Sequence, residues 1–261
     1  MIRTKYGSTL KWKRLEFALN LMMVEDLENS DSHHNTRNLA LLGLVLVSIA
    51  PSVSVTTGFV FKAGLWAVIV FVFTKAWVFG LPGFWHLRIE KQPFSWSPAK
   101  KGGWGISFLL GIGMILTIWA AYFLLGEQML QPEALKSILY PVGLTVPWRL
   151  AAAIVFWVFI NSVLEEYVFR WFITSKIEQF VNGKWTAVFL SSAIFTLHHS
   201  IALIFFLDPL GAIIASLGVF IGGSIFSWLY IEYRSIWVAW VAHACADVAI
   251  FAIAWELIVG F

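Results

Sequence analysis

Long apolar runs divided by short polar breaks dominate this chain. In helical geometry about 20 apolar residues cross roughly 30 Å of hydrocarbon. Leu39–Val55, softened by Pro51, is the first run of that kind. Gly58–Phe79 is the second, with Lys62 and Lys75 within snorkelling reach of opposite ends. Trp104–Leu125, Trp148–Ser175, Gly183–Phe206, Gly211–Tyr230 and Ser235–Ile258 complete the series. The pattern predicts an all-α fold, a polytopic transmembrane helix bundle of about seven to eight spans. Ahead of the runs, Trp12, Leu15, Leu19, Met22 and Met23 recur at helical spacing within Ser8–Glu28, which reads as an interfacial amphipathic helix. Asn29–Asn38 follows as a polar linker whose His33 and His34 are read as solvated. The expected organisation is a cytoplasmic amphipathic and polar segment at 1–38, N-terminal spans at 39–147 and a core at 148–261. The last two form one domain.

Composition agrees with the pattern. The chain has 261 residues, 59% hydrophobic and only 13% charged, whereas soluble domains carry about 25% charge. Fifteen tryptophans suit many interfacial anchors. One cysteine, Cys245, leaves no internal disulfide and no multi-Cys metal site. Residues 1–38 have basic positions but no short apolar core followed by a small-residue cleavage site, so no signal peptide is expected. The net charge of +3 comes without a basic cluster, which argues against a nucleic-acid partner. Loop cations instead gather in 1–38, 81–103, 176–184 and 231–234, while the loops at 126–147 and 207–210 hold one, Lys136. The positive-inside rule then puts the N-terminus in the cytoplasm and the C-terminus outside, in a multi-pass protein of the cell membrane.

Against this apolar background the ionisable residues inside the spans stand out. A charge in hydrocarbon costs several kcal/mol unless partnered, so each is a functional candidate. Within FWVFINSVLEEYVFRWF, Glu166 and Arg170 stand at i,i+4 in the favourable order and are expected to pair. At roughly 100° per residue Glu165 points elsewhere, free for chemistry. Asn161, one turn before Glu165, can hydrogen-bond it or a water. The next span carries FTLHH, with Phe195 and His199 on one face and His198 turned away by about 100°, read as packing or as support behind the site. Asn182-Gly183 marks a turn, and Glu165 and His199 each lie 17 residues from Asn182, so an antiparallel hairpin sets them at one depth. The last span carries HACAD, placing His243 and Asp247 on one face and Cys245 nearly opposite. Asp208 and Glu256 fall near the outer boundary and are read as solvated; Glu232 and Arg234 belong to an inner turn.

These three motifs resemble those of the CAAX-protease and bacteriocin-processing (CPBP, Abi) family, which includes the Rce1-type prenyl-protein endopeptidases. EEYVFR matches EExxxR, FTLHH matches FxxxH through Phe195 and His199, and HACAD matches HxxxN/D through His243 and Asp247. The resemblance covers roughly residues 148–250. It implies a glutamate-dependent intramembrane endopeptidase with its catalytic cavity within the bundle, acting on a peptide or on a lipidated or transmembrane protein substrate among membrane lipid. Glu165 would activate water with the help of His199, and His243 and residue 247 would stabilise the oxyanion. Asp247 departs from the frequent Asn, and so either is protonated or orients His243.

No cofactor is required by this scheme. A zinc variant is the alternative, with Glu165, His199, His243 and Asp247 as ligands and an open position. HExxH, GxSxG and GxGD are absent, which removes the signatures of the zinc, serine and aspartyl intramembrane proteases. Two other classes stay open: a transporter using the ionisable groups as a proton relay, and a non-catalytic member of the same family. Nothing in the chain selects a prenylated CAAX tail, a bacteriocin leader or a C-terminal sorting tag as substrate.

Overall fold

The computed structural model describes residues 37–60 and 64–260. The expected amphipathic helix, His33, His34 and Lys62 lie outside the described residues. The chain divides into two compact units, residues 1–42 and 43–261. Among the described residues every regular element is a helix. In chain order these are α1 (Arg37–Gly58), α2 (Leu65–Ile89), α3 (Trp104–Met129), α4 (Pro132–Leu139), α5 (Pro147–Ile177), α6 (Lys184–Leu203), α7 (Pro209–Tyr233) and α8 (Ile236–Ile258). All but the short α4 are long and apolar enough to cross a membrane.

Their outward faces carry large bare side chains: Leu65 and Leu124 are each 75% exposed and Phe123 73%. An apolar surface of that extent suits lipid rather than water. The chain is a multi-pass membrane protein.

The second span differs from its sequence reading. It begins at Leu65 and runs to Ile89, so Lys75 sits in mid-span and not near an end. The apolar stretch passes through Pro82, and the backbone takes π-winding over Trp85–Ile89.

Close helix approach relies on small residues, as expected in lipid. A Cβ on Gly111 of α3 would meet Cys245 of α8 at 2.7 Å, and one on Gly223 of α7 would meet Ser192 and Phe195 of α6 at 2.8 and 3.0 Å. α3 packs along α8, and α6 along α7. Cys245 therefore serves the α3–α8 contact, on the side of α8 that its spacing from His243 predicts.

The ends of the helices are tied. Asp208, expected to be solvated, caps α7 by accepting from Gly211 N at 2.8 Å and Leu210 N at 3.3 Å, with Pro209 in the first turn. Glu256 is partly exposed, but its Oε2 is sealed from solvent and Tyr122 lies against it. At the opposite end three ion pairs link helix ends and the turns beside them: Lys176 with Glu90, Lys184 with Glu232, and Arg234 with Glu178. Arg234 donates both terminal nitrogens to the Glu178 carboxylate at 2.6 and 2.7 Å, which holds its guanidinium above the usual arginine value. The segment between α2 and α3 is pinned to the start of α8, where Ser97 Oγ accepts from Ile236 N at 3.0 Å and Trp96 O accepts from Trp237 Nε1 at 2.8 Å.

Candidate active site

Helix α5 is wound unevenly, and that winding builds the site. Residues Pro147–Phe156 are α-helical, Trp157–Asn161 π-helical, Ser162–Glu165 α-helical and Glu166–Thr174 π-helical again. The wider turn shows at Thr174, whose Oγ1 donates to Phe169 O five residues back at 2.8 Å. Glu165 and Glu166 keep α-helical backbone angles and point to different sides, yet their side chains find a common partner. Both reach the imidazole of His243 on α8, one at each ring nitrogen. Nδ1 lies 2.8 Å from Glu166 Oε1, while Nε2 lies 3.8 Å from Glu165 Oε2 and 3.7 Å from Asp247 Oδ1.

Glu166 is shared between two partners. Its other oxygen stands 3.3 Å from Arg170 Nε, the i,i+4 pair read from the sequence, and both side chains are fully enclosed. Arg170 also donates from Nη1 to Ser227 Oγ at 3.2 Å, and Ser227 in turn meets Ser191 at 2.8 Å. The guanidinium lies 4.5 Å from the ring of Phe195 and 5.5 Å from that of Phe226. Phe226 stacks on His243 with ring centres 4.6 Å apart. Two buried charges are tolerable here because each has several partners. Together they set the plane and the height of the His243 ring.

Glu165 is held separately. Asn161 Nδ2 donates to its Oε1 at 2.7 Å, while Asn161 Oδ1 accepts from Lys75 Nζ of α2 at 3.5 Å. The hairpin register read from Asn182-Gly183 brings α6 alongside. Gly183 turns with a φ of +123°, a value that suits glycine. His199 donates from Nδ1 to Phe195 O at 2.9 Å, since a carbonyl can only accept, and so in the neutral ring Nε2 carries the lone pair. The ring of Phe195 packs 4.4 Å from that of His199.

His198 is not turned away from the site. Its ring centre is 4.1 Å from that of His199 and it stacks on Phe169. Glu165, His198 and His199 each offer one ligand atom, all within 4.8 Å of one another. Among the described residues this trio is the group that could hold a metal ion; the zinc alternative raised from the sequence named Glu165, His199, His243 and Asp247. Sequence reasoning therefore missed His198 and Lys75 as neighbours of the glutamate. The only signals were the doubled histidine and a lysine inside an apolar run.

The assembled groups comprise a fixed carboxylate, a neutral imidazole acceptor, an imidazole aimed by a second glutamate, and an aspartate beside it. Glu165 and Asp247 are each 17% exposed and His243 7%, so the cluster is sheltered but reachable. Such a set can polarise a water and stabilise a developing oxyanion.

Comparison with known families places residues 147–249 in a match to the type II CAAX prenyl endopeptidase Rce1-like family model. The matched stretch contains α5 to most of α8, and with them every group of the cluster except Lys75. No curated protein and no solved structure matched the chain.

Proposed function

We propose, from the match of residues 147–249 to the Rce1-like family of proteases, that the chain is a glutamate-dependent intramembrane endopeptidase. The observation that carries the reading is the convergence of Glu165, His199 and His243, from three different spans, around one sheltered space. Glu165 takes the proton of a water while its oxygen attacks the scissile carbonyl carbon. His199 Nε2 accepts from that water and orients it. His243, aimed by Glu166, donates from Nε2 in its imidazolium form to the oxyanion. Asp247, 3.7 Å from the same nitrogen, orients the ring on that side. As the tetrahedral intermediate collapses, the carbon–nitrogen bond breaks and Glu165 returns its proton to the leaving amine. The products are a new carboxylate and a free amine, and Glu165 ends as it began.

The proposed substrate is a prenylated or otherwise membrane-embedded polypeptide, because the cluster lies inside spans with apolar outer faces. The proposed setting is the cell membrane with the N-terminus cytoplasmic. The test is cleavage of a quenched fluorogenic peptide ending in farnesyl-cysteine and three further residues, by purified protein in micelles. Wild type cuts it, and Glu165→Gln loses at least about a thousandfold in kcat while eluting and melting like wild type. Cleavage by that variant at the normal rate removes Glu165 from the mechanism.

The close grouping of Glu165, His198 and His199 supports a second reading, in which these three residues would hold a zinc ion that would supply Lewis-acid chemistry to the site. Exhaustive chelation separates the two. Under the metal-free mechanism the rate is retained, whereas loss restored by added zinc favours the metal reading.

A further inference from the structure

Lys75 is the ionisable residue in the middle of α2, well before His86 and Arg88 at its end, and the proposed chemistry leaves it out. It follows Leu65 by ten residues, about 15 Å along an α-helix, and precedes Ile89 by fourteen, about 21 Å. A lysine side chain of some 6 Å cannot carry its ammonium to either end from there. The charge therefore stays at depth, where it is costly and calls for a function. Among the described residues its hydrogen-bond partner is Asn161 Oδ1, and its ring neighbours are Phe71 and Phe79 at 5.6 and 5.3 Å.

Asn161 is the link. A side-chain amide has one accepting end and one donating end, and either orientation fits the same space. An ammonium can only donate, so Lys75 selects the orientation in which oxygen faces α2. The NH2 group then faces Glu165 and donates to Oε1 at 2.7 Å. In the reverse orientation an amide oxygen would confront the carboxylate and push it away. We propose that Lys75 is a positioning residue: acting through the Asn161 amide, it holds the Glu165 carboxylate in the orientation that leaves Oε2 facing the reaction space. The inference rests on Glu165 being the base of the proposed endopeptidase.

Two measurements test it. In kinetics with the farnesylated fluorogenic peptide, Lys75→Met lowers kcat by between about tenfold and about a hundredfold, the scale of a misplacement near 1 Å. KM changes by less than about twofold, and Lys75→Arg recovers most of the rate. Since Lys75 acts through Asn161, Lys75→Met on top of Asn161→Ala lowers kcat no further than Asn161→Ala alone. Additive losses, or a wild-type kcat for Lys75→Met, overturn the proposal. If Lys75→Met does not fold, Lys75→Gln, which lacks the charge, takes its place in the same comparison.

The second measurement needs no catalysis and separates failure of this inference from failure of the proposed function. The chain has six asparagines, so 15N-asparagine labelling gives few side-chain amide signals, and the Asn161 signal is the one lost in Asn161→Ala. It shifts and exchanges faster with solvent in Lys75→Met, and returns in Lys75→Arg. An unchanged Asn161 amide in Lys75→Met overturns the link whatever the enzyme cleaves. A wild-type protein that cuts no peptide yet shows the amide shift condemns the assigned activity and leaves the link standing.

Discussion

Arg170 shows how much one side chain can hold at this depth. Its guanidinium faces Glu166, Ser227 and two phenyl rings with no solvent contact. Arg170→Met removes the partner of a buried carboxylate and is expected to cost about 3–5 kcal/mol, read as a lowered melting temperature in micelles. Adding Glu166→Leu removes the stranded charge and recovers most of the stability, because a well-packed apolar pair replaces an ion pair at little net cost. Activity does not return, since His243 loses its aiming carboxylate. Recovery of both together would show that Glu166 serves packing alone. At this scale the sequence was informative where chemistry forces a residue type: a carboxylate, an imidazole or a guanidinium in an apolar run has few reasons to be there. It was uninformative about direction. The pairing of Glu166 with Arg170 was legible from spacing, but its second bond to His243 was not, because that partner lies 77 residues away in sequence. His198 was discounted by an angular argument that holds for the evenly wound α6 but overlooks the reach of the ring, since neighbours turned by about 100° can still bring their imidazoles together.

The spans themselves were legible because a membrane imposes a length and a composition that any chain must meet. The expected ends of α3, α5 and α8 lie within a few residues of the observed ones. α2 was displaced along the chain because the run from Gly58 is as apolar as the run that follows, and hydropathy alone does not say where a helix begins. π-winding has no such compositional mark and was not foreseen. The small residues at helix contacts offer a direct comparison on α3. Gly111→Ala drives a methyl into Cys245 and is expected to destabilise by about 1–3 kcal/mol. Gly113→Ala, two residues on, meets nothing within 4 Å and should be neutral or gain up to about 1 kcal/mol from helix propensity. Thermal melts of the two variants check this, and equal effects would mean that α3 and α8 do not pack through Gly111.

On the scale of the whole molecule, the ion pairs Lys176–Glu90, Lys184–Glu232 and Arg234–Glu178 gather at one end of the spans, the end to which loop cations assign the cytoplasm. In a Cys245→Ala background, Lys136→Cys is expected to react with a membrane-impermeant maleimide in intact cells, and Lys100→Cys only after the membrane is opened. The opposite pattern would invert the orientation. Span α5 has a further consequence for how the molecule tolerates change. It uses 31 residues where about 20 suffice, and even α-winding would stretch them to about 46 Å. The broad coil over Glu166–Thr174 takes up that slack, so residue count and height in the bilayer are not locked together there. Deleting one residue between Phe169 and Ile173 tightens the coil and still leaves a helix long enough to cross. The same cut in an evenly α-wound stretch would swing one side by roughly 100° against the other, so the wide coil over Glu166–Thr174 is where this span can change its length and still bring its carboxylates to the imidazole they must meet.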